Sequence, residues 1–140
     1  MTQLEPFINK HTTSTPFIQL EQGKFFIIGR SILNDPVDFY KPMREWIADY
    51  AKNYKGKTKI VIGFDHISTA TVKVIYDIFR DFTQVVDIER KTSVEWYCES
   101  NDDDLNDLGK IFQALFPTDF KIIEVESIDK DFIHEMLASK

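Results

Sequence analysis

Lys59-Ile-Val-Ile-Gly-Phe64 is a short, nearly unbroken apolar run that passes within a few residues into a pattern of helical period. A strand that is apolar on both faces must be covered on both sides, which makes it central in a sheet rather than an edge. Beyond it, Val72, Ile75, Tyr76 and Phe79 fall on one face of a helix beginning near Ser68, and Val74, Ile78 and Phe82 widen the stripe. The helix ends between Phe82 and Arg90. A buried strand followed by such a helix needs a crossover to reach the next strand, so the strands of this part should lie parallel in one sheet with helices packed against it.

The rest of the chain supplies compatible elements. Met1 to Pro16 is polar and reads as a flexible lead-in, followed by one domain over residues 17–140. Phe17 to Leu20 and Lys24 to Ile28 flank Glu21-Gln-Gly23 as a β-hairpin that Gly29 and Arg30 end. Asn34-Asp-Pro36 offers a cap with proline at a first helical position, and Phe39, Met43, Trp46, Ile47 and Tyr50 recur at helical spacing. Pro42 is expected to delay the regular helix until about residue 40. Ser93 to Glu99 alternates as a strand, Asn101 to Asp104 caps a helix carrying Leu105, Leu108, Phe112 and Leu115, and Pro117 stops it. A last strand over Lys121 to Val125 and a helix marked by Phe132, Ile133, Met136 and Leu137 complete the order ββαβαβαβα. The expected fold is an α/β two-layer sandwich with a mixed sheet of about five strands.

With 140 residues, 43% of them hydrophobic, the chain can bury one substantial core. No run approaches a membrane span, and Met1 to Lys10 lacks the basic start and apolar block of a secretion signal, so a cytoplasmic protein is expected. The net charge of -6 argues against nucleic acid and against anionic membrane surfaces, since neutralising phosphates needs clustered Lys and Arg. The lone Cys98 excludes an internal disulfide and falls in the alternation Val94, Trp96, Cys98, as a buried small hydrophobe would.

Little points to catalysis. His11, His66 and His134 lie on separate elements, and Asp102, Asp103 and Asp104 run along one helix start, where capping explains them better than a metal does. The first hairpin ends in Gly29-Arg-Ser31 rather than the acidic pair of a receiver domain, and there is no P-loop, dinucleotide fingerprint or Gly-x-Ser-x-Gly elbow. No cofactor or metal is expected. Ser68, Thr69 and Thr71 are the distinctive group, placed where unpartnered backbone N–H groups and the positive end of a helix dipole meet. That position suits a phosphorylatable hydroxyl or a simple helix cap.

Three blocks together resemble the SiaC family of bacterial regulatory phosphoproteins. Gly29-Arg-Ser-Ile-Leu-Asn34 with Phe39-Tyr-Lys-Pro42 and Trp46 is similar to the family's Gly-x-Ser-x-x-Glu-Asn, Phe-Tyr-x-Pro and Trp. Phe64 to Lys73 is similar to Leu-Glu-Tyr-Phe-Asn-Thr-Ser-Ser-Ser-Lys, and Val94 to Asp104 with Gly109 resembles the Trp-Tyr-Tyr-Glu and acidic run ahead of a helix. The resemblance implies a STAS-like fold related to anti-sigma-factor antagonists. It also implies a protein-binding switch whose phosphoacceptor is Thr69, with Ser68 as the rival, since Ser68, Ala70 and His66 stand where the family has Asn, Ser and Tyr. The implied partners are a cognate Ser/Thr kinase, a metal-dependent Ser/Thr phosphatase and an output protein such as a diguanylate cyclase or an anti-sigma-type kinase. Asp65, His66, Ser68, Thr69, Ala70, Thr71 and Lys73 would form the partner-binding face. The alternative is a small-ligand-binding α/β module, with a pocket against Trp46, Tyr76 or Trp96 and with Ser68 and Thr69 serving only as caps.

Overall fold

A computed structural model of the chain describes residues 5–85, 91–116 and 118–138. Six strands and four helices are defined among them: β1 (Phe7–Asn9), β2 (Phe17–Glu21), β3 (Lys24–Ser31), α1 (Pro36–Asn53), β4 (Thr58–Ile67), α2 (Thr69–Val85), β5 (Thr92–Glu99), α3 (Asp103–Leu115), β6 (Asp119–Val125) and α4 (Lys130–Ala138). The strands form one sheet in chain order, antiparallel from β1 to β3 and parallel from β3 to β6.

The α/β sandwich expected from the sequence is present, with one strand more. Phe7–Asn9 lies inside the expected lead-in, yet it pairs with β2 from Phe7 opposite Leu20 to Asn9 opposite Ile18. Two side-chain bonds hold this segment: Asn9 Nδ2 donates to the Pro16 carbonyl at 2.9 Å, and Trp46 Nε1 donates to the Glu5 carbonyl at 2.8 Å.

Helix α1 begins at Pro36 and runs straight through Pro42, so the expected delay does not occur. Asp35 caps it by accepting the Asp38 N–H at 3.1 Å, and Pro36 sits in the first turn, where a missing N–H is harmless. Pro42 forfeits a single intrahelical bond; Tyr40, Met43, Ile47 and Tyr50, all buried, pack the helix onto the sheet and offset that loss. Helix α2 is described to Val85, within the interval from Phe82 to Arg90 in which it was expected to end, residues 86–90 lying outside the described ones. Helix α3 ends at Leu115, where the Phe116 N–H returns to the Phe112 carbonyl; Pro117, expected as its stop, lies outside the described residues.

Right-handed crossovers between successive neighbouring strands put every crossover helix on the same side of a sheet. Accordingly α1, α2 and α3 share one face, over a core that includes Phe25, Ile27, Ile60, Ile62, Phe64, Val94 and Trp96. Helix α4 folds back onto the other face, where Phe132 and Ile133 meet Phe26, Ile28 and Val61. Covering on both sides is why Ile60, Val61 and Ile62 are all buried, as the continuous apolar run requires. Close approach of α3 to β5 depends on Gly109: a Cβ there would stand 2.7 Å from Trp96 Cδ1. Trp96 is fully enclosed, and its indole N–H donates to the Leu105 carbonyl at 3.1 Å. Cys98 is buried, and that burial raises its thiol pKa.

Candidate functional site

The C-terminal ends of β3 and β4 carry the hydroxyl cluster. The Ser68 N–H donates to the Ser31 carbonyl at 3.0 Å, which fastens the β4–α2 turn to the neighbouring strand. Ser68 then acts as the N-cap of α2: its hydroxyl accepts the Thr71 N–H at 3.2 Å and its carbonyl accepts the Val72 N–H at 3.1 Å. Thr69, Ala70 and Thr71 therefore occupy the first three helical positions. The N–H groups of Thr69 and Ala70 have no intrahelical acceptor by position, and no acidic residue stands in this first turn.

The three hydroxyls have different environments. Thr71 is fully buried at 0% exposure, its Oγ1 at 2.9 Å from Ser68 Oγ and 3.1 Å from Ser31 Oγ. Ser31, also at 0%, bonds onward to the Tyr40 hydroxyl at 2.8 Å. A chain of four hydroxyls thus runs from α1 through β3 into the first turn of α2. Burial pushes the Tyr40 pKa up to about 12, while the Ser31 hydrogen bond pulls in the opposite direction. Ser68 is half-buried within this chain, whereas Thr69 and Ala70 are exposed.

Thr71, expected on the partner-binding face, is instead an interior side chain. The reason is helical phase: once Ser68 is the cap, the third position turns back toward β3 and the first turns outward. The other expected members lie around the turn. Lys73, 78% exposed, follows Thr69 by four residues and reaches Asp77 at 3.7 Å. His66 is exposed, with Nδ1 at 3.6 Å from Asp65.

Asp65 itself faces the α4 side. Gly29 adopts φ +128°, which a side chain would strain, and there the β3–β4 register slips: Gly29 opposes Phe64 but Arg30 opposes His66. Asp65 is the extra residue, and Arg30 Nη2 donates to its Oδ2 at 3.1 Å. Its buried Oδ1 makes no hydrogen bond among the described residues. Sequence reasoning did not single out Ser31, Tyr40 or Arg30, although all three fall in the first block of the resemblance. At the start of α3, Asp102 accepts the Leu105 N–H at 3.0 Å, so the acidic run is a cap with two exposed neighbours.

A family model described as SiaC family regulatory phosphoprotein matches residues 9–125. The chain belongs to the SiaC family. SiaC of Pseudomonas aeruginosa in its apo form superposes with a TM-score of 0.76 at 17% identity, over 87% of this chain and 100% of that one. A second structure of SiaC from Pseudomonas aeruginosa gives 0.75 at 17% identity with the same coverage. A third match comes from a crystal structure of the diguanylate cyclase SiaD in complex with its activator SiaC, from the same organism, with a TM-score of 0.73 and 18% identity over 83% of this chain and 97% of that one. At these identities the superpositions establish a shared SiaC fold. Comparison with curated protein sequences finds no match. Among the described residues of this SiaC family member, no helix is long and apolar enough to cross a membrane.

Proposed function

We propose that this SiaC family protein is a phosphorylation-controlled protein-binding switch, with Thr69 as the phosphoacceptor. One observation carries the reading: in the first turn of α2, Thr69 is the hydroxyl exposed to solvent, while those of Ser68 and Thr71 are engaged in the cap and the buried chain. A kinase can reach Thr69 without unravelling the helix. Modifying Ser68 would break the cap, which argues against the rival acceptor.

Phosphate on Thr69 adds about -1.5 to -2 charges at the positive end of a helix. The dipole offers about 0.3–1 kcal/mol of relief there, and Lys73 stands one turn along. The fold should hardly respond. A partner that seats a neutral threonine in a tight contact meets desolvation and like-charge penalties of several kcal/mol, enough to abolish micromolar binding. The surroundings suit such a contact: Ala70 is exposed, Ile32 directly after Ser31 is 48% exposed, and Val37 in the first turn of α1 is 65% exposed. The match to a SiaC bound to a diguanylate cyclase supports a cyclase as the output partner, with an anti-sigma-type kinase as the alternative. A Ser/Thr kinase would load the switch and a metal-dependent Ser/Thr phosphatase would reset it. The partner-binding face then comprises His66, Thr69, Ala70 and Lys73, with Ser68 behind it, while Asp65, paired with Arg30 on the α4 side, lies outside it.

The test pairs Thr69→Glu with Thr69→Ala in pull-downs and affinity measurements against the output protein. Both variants should fold normally, and only the glutamate should lose the partner. Equal binding by both would overturn the reading. Trp46 and Trp96, expected to line a ligand pocket in the alternative module, have their indole N–H groups committed to the Glu5 and Leu105 carbonyls.

A further inference from the structure

Thr69 and Lys73 stand four positions apart on α2, the spacing that brings two side chains onto one face of a helix. Lys73 is 78% exposed, and its one ion pair among the described residues is with Asp77 Oδ2, at 3.7 Å. That pair is weak on two counts. The contact is long, and it places the base N-terminal to the acid, the less favourable order for side chains four apart. Asp77 does not depend on it. Its Oδ1 takes Arg80 Nη1 at 3.1 Å, and Arg80 is held in turn by Asp81 at 3.6 Å and over the Tyr76 ring. The Lys73 ammonium can therefore leave Asp77 without stranding a buried charge.

A phosphoryl group on Thr69 offers that ammonium a better partner. The acid then precedes the base, which is the favourable order, and it carries about -1.5 to -2 charges in place of one. No acidic residue stands in the first turn of α2 to compete for Lys73. Two charged side chains precede the turn. Asp65 is answered by Arg30 at 3.1 Å on the α4 side, and His66, 59% exposed, has Nδ1 at 3.6 Å from Asp65.

We propose that phosphorylation of Thr69 draws Lys73 from Asp77 onto the phosphoryl oxygens. The proposal rests on Thr69 being the acceptor, and it gives the switch a second effect. Modification adds negative charge to the partner-binding face and also withdraws the exposed ammonium that a carboxylate of the output protein would meet. In the unmodified chain Lys73 stays available to that carboxylate.

The full chain with phosphothreonine inserted at position 69 during translation needs no kinase, so this proposal and the acceptor assignment can fail separately. Titration followed by phosphorus NMR reads the second ionisation of the phosphoryl group, in a His66→Gln background because imidazoles ionise in the same pH range. Lys73→Gln should raise that pKa by about 0.2–0.4 unit at low salt, whereas Lys73→Arg should stay near the parent value. Salt at about 1 M should close the gap. All these substitutions alter exposed side chains and should leave the fold intact. Equal pKa values in the parent and Lys73→Gln overturn the proposal, as does a Lys73→Arg chain that titrates like Lys73→Gln or a difference that salt leaves unchanged. Equal partner binding by Thr69→Glu and Thr69→Ala would instead overturn the acceptor assignment, whatever the titration shows.

Discussion

The division of labour among three adjacent hydroxyls makes a quantitative prediction about stability. Thr71→Val keeps the side-chain shape and deletes the oxygen that bridges Ser31 at 3.1 Å and Ser68 at 2.9 Å. Ser31 retains Tyr40 as a partner, and Ser68 retains the Thr71 N–H, so no buried group is stranded. Two hydrogen bonds at about 1 kcal/mol each give a loss of about 2 kcal/mol. Ser68→Ala removes the N-cap and should cost about 1–2 kcal/mol. Thr69→Ala, at an exposed first position outside both the cap and the core, should stay within about 0.5 kcal/mol of wild type. An unfolding entropy of about 2.1 cal/mol/K per residue converts 2 kcal/mol to a fall of about 7 °C in Tm for a chain of this length. Urea denaturation followed by circular dichroism measures all three. The Ser68→Ala/Thr71→Val double variant should lose less than the sum of the single losses, because both delete the same Ser68–Thr71 bond. A neutral Thr71→Val, or a Thr69→Ala as damaging as Ser68→Ala, would refute the assignment of cap, interior hydroxyl and free hydroxyl.

Two further outcomes follow from the core. Gly109→Ala forces a methyl against Trp96, 2.7 Å from Cδ1 and 2.8 Å from Nε1, and should destabilise by about 1–3 kcal/mol in thermal melts while leaving the Thr69 turn intact. Tyr40 ionises near 12 in the folded chain against about 10 when unfolded, so its contribution is full below pH 10 and is lost as pH rises toward 12, by about 3 kcal/mol. Urea midpoints measured across that window should fall, and Tyr40→Phe should make the decline shallower without abolishing it, because Tyr97 is raised to about 12 as well.

The parallel half of the sheet was legible because its determinants are local. The run from Lys59 to Phe64 and the helical stripe from Val72 to Phe82 each state their own burial. Strand β1 was not: three residues next to a polar stretch have no period to read, and their pairing depends on Leu20 and Trp46 far along the chain. Within the candidate site the sequence located the turn but not the roles inside it. Whether Thr69 or Thr71 faces water depends on which residue is the cap, a phase that shifts by about 100° per position. The Arg30–Asp65 pair was invisible for a different reason, since it joins residues 35 positions apart through the register of neighbouring strands.

Sheet order identical to chain order has a consequence for how the molecule forms. No strand has to be threaded between two already joined, so the sheet can grow by addition at one margin, each new strand meeting the one made just before it. Pairings of that kind close comparatively small loops and favour rapid assembly. During synthesis the growing margin is always the most recently emerged strand, and until Asp119–Val125 arrives β5 stands with its backbone groups unpaired on one side. A chain truncated just before residue 119 would therefore leave that edge of β5 open to pairing with another copy of itself.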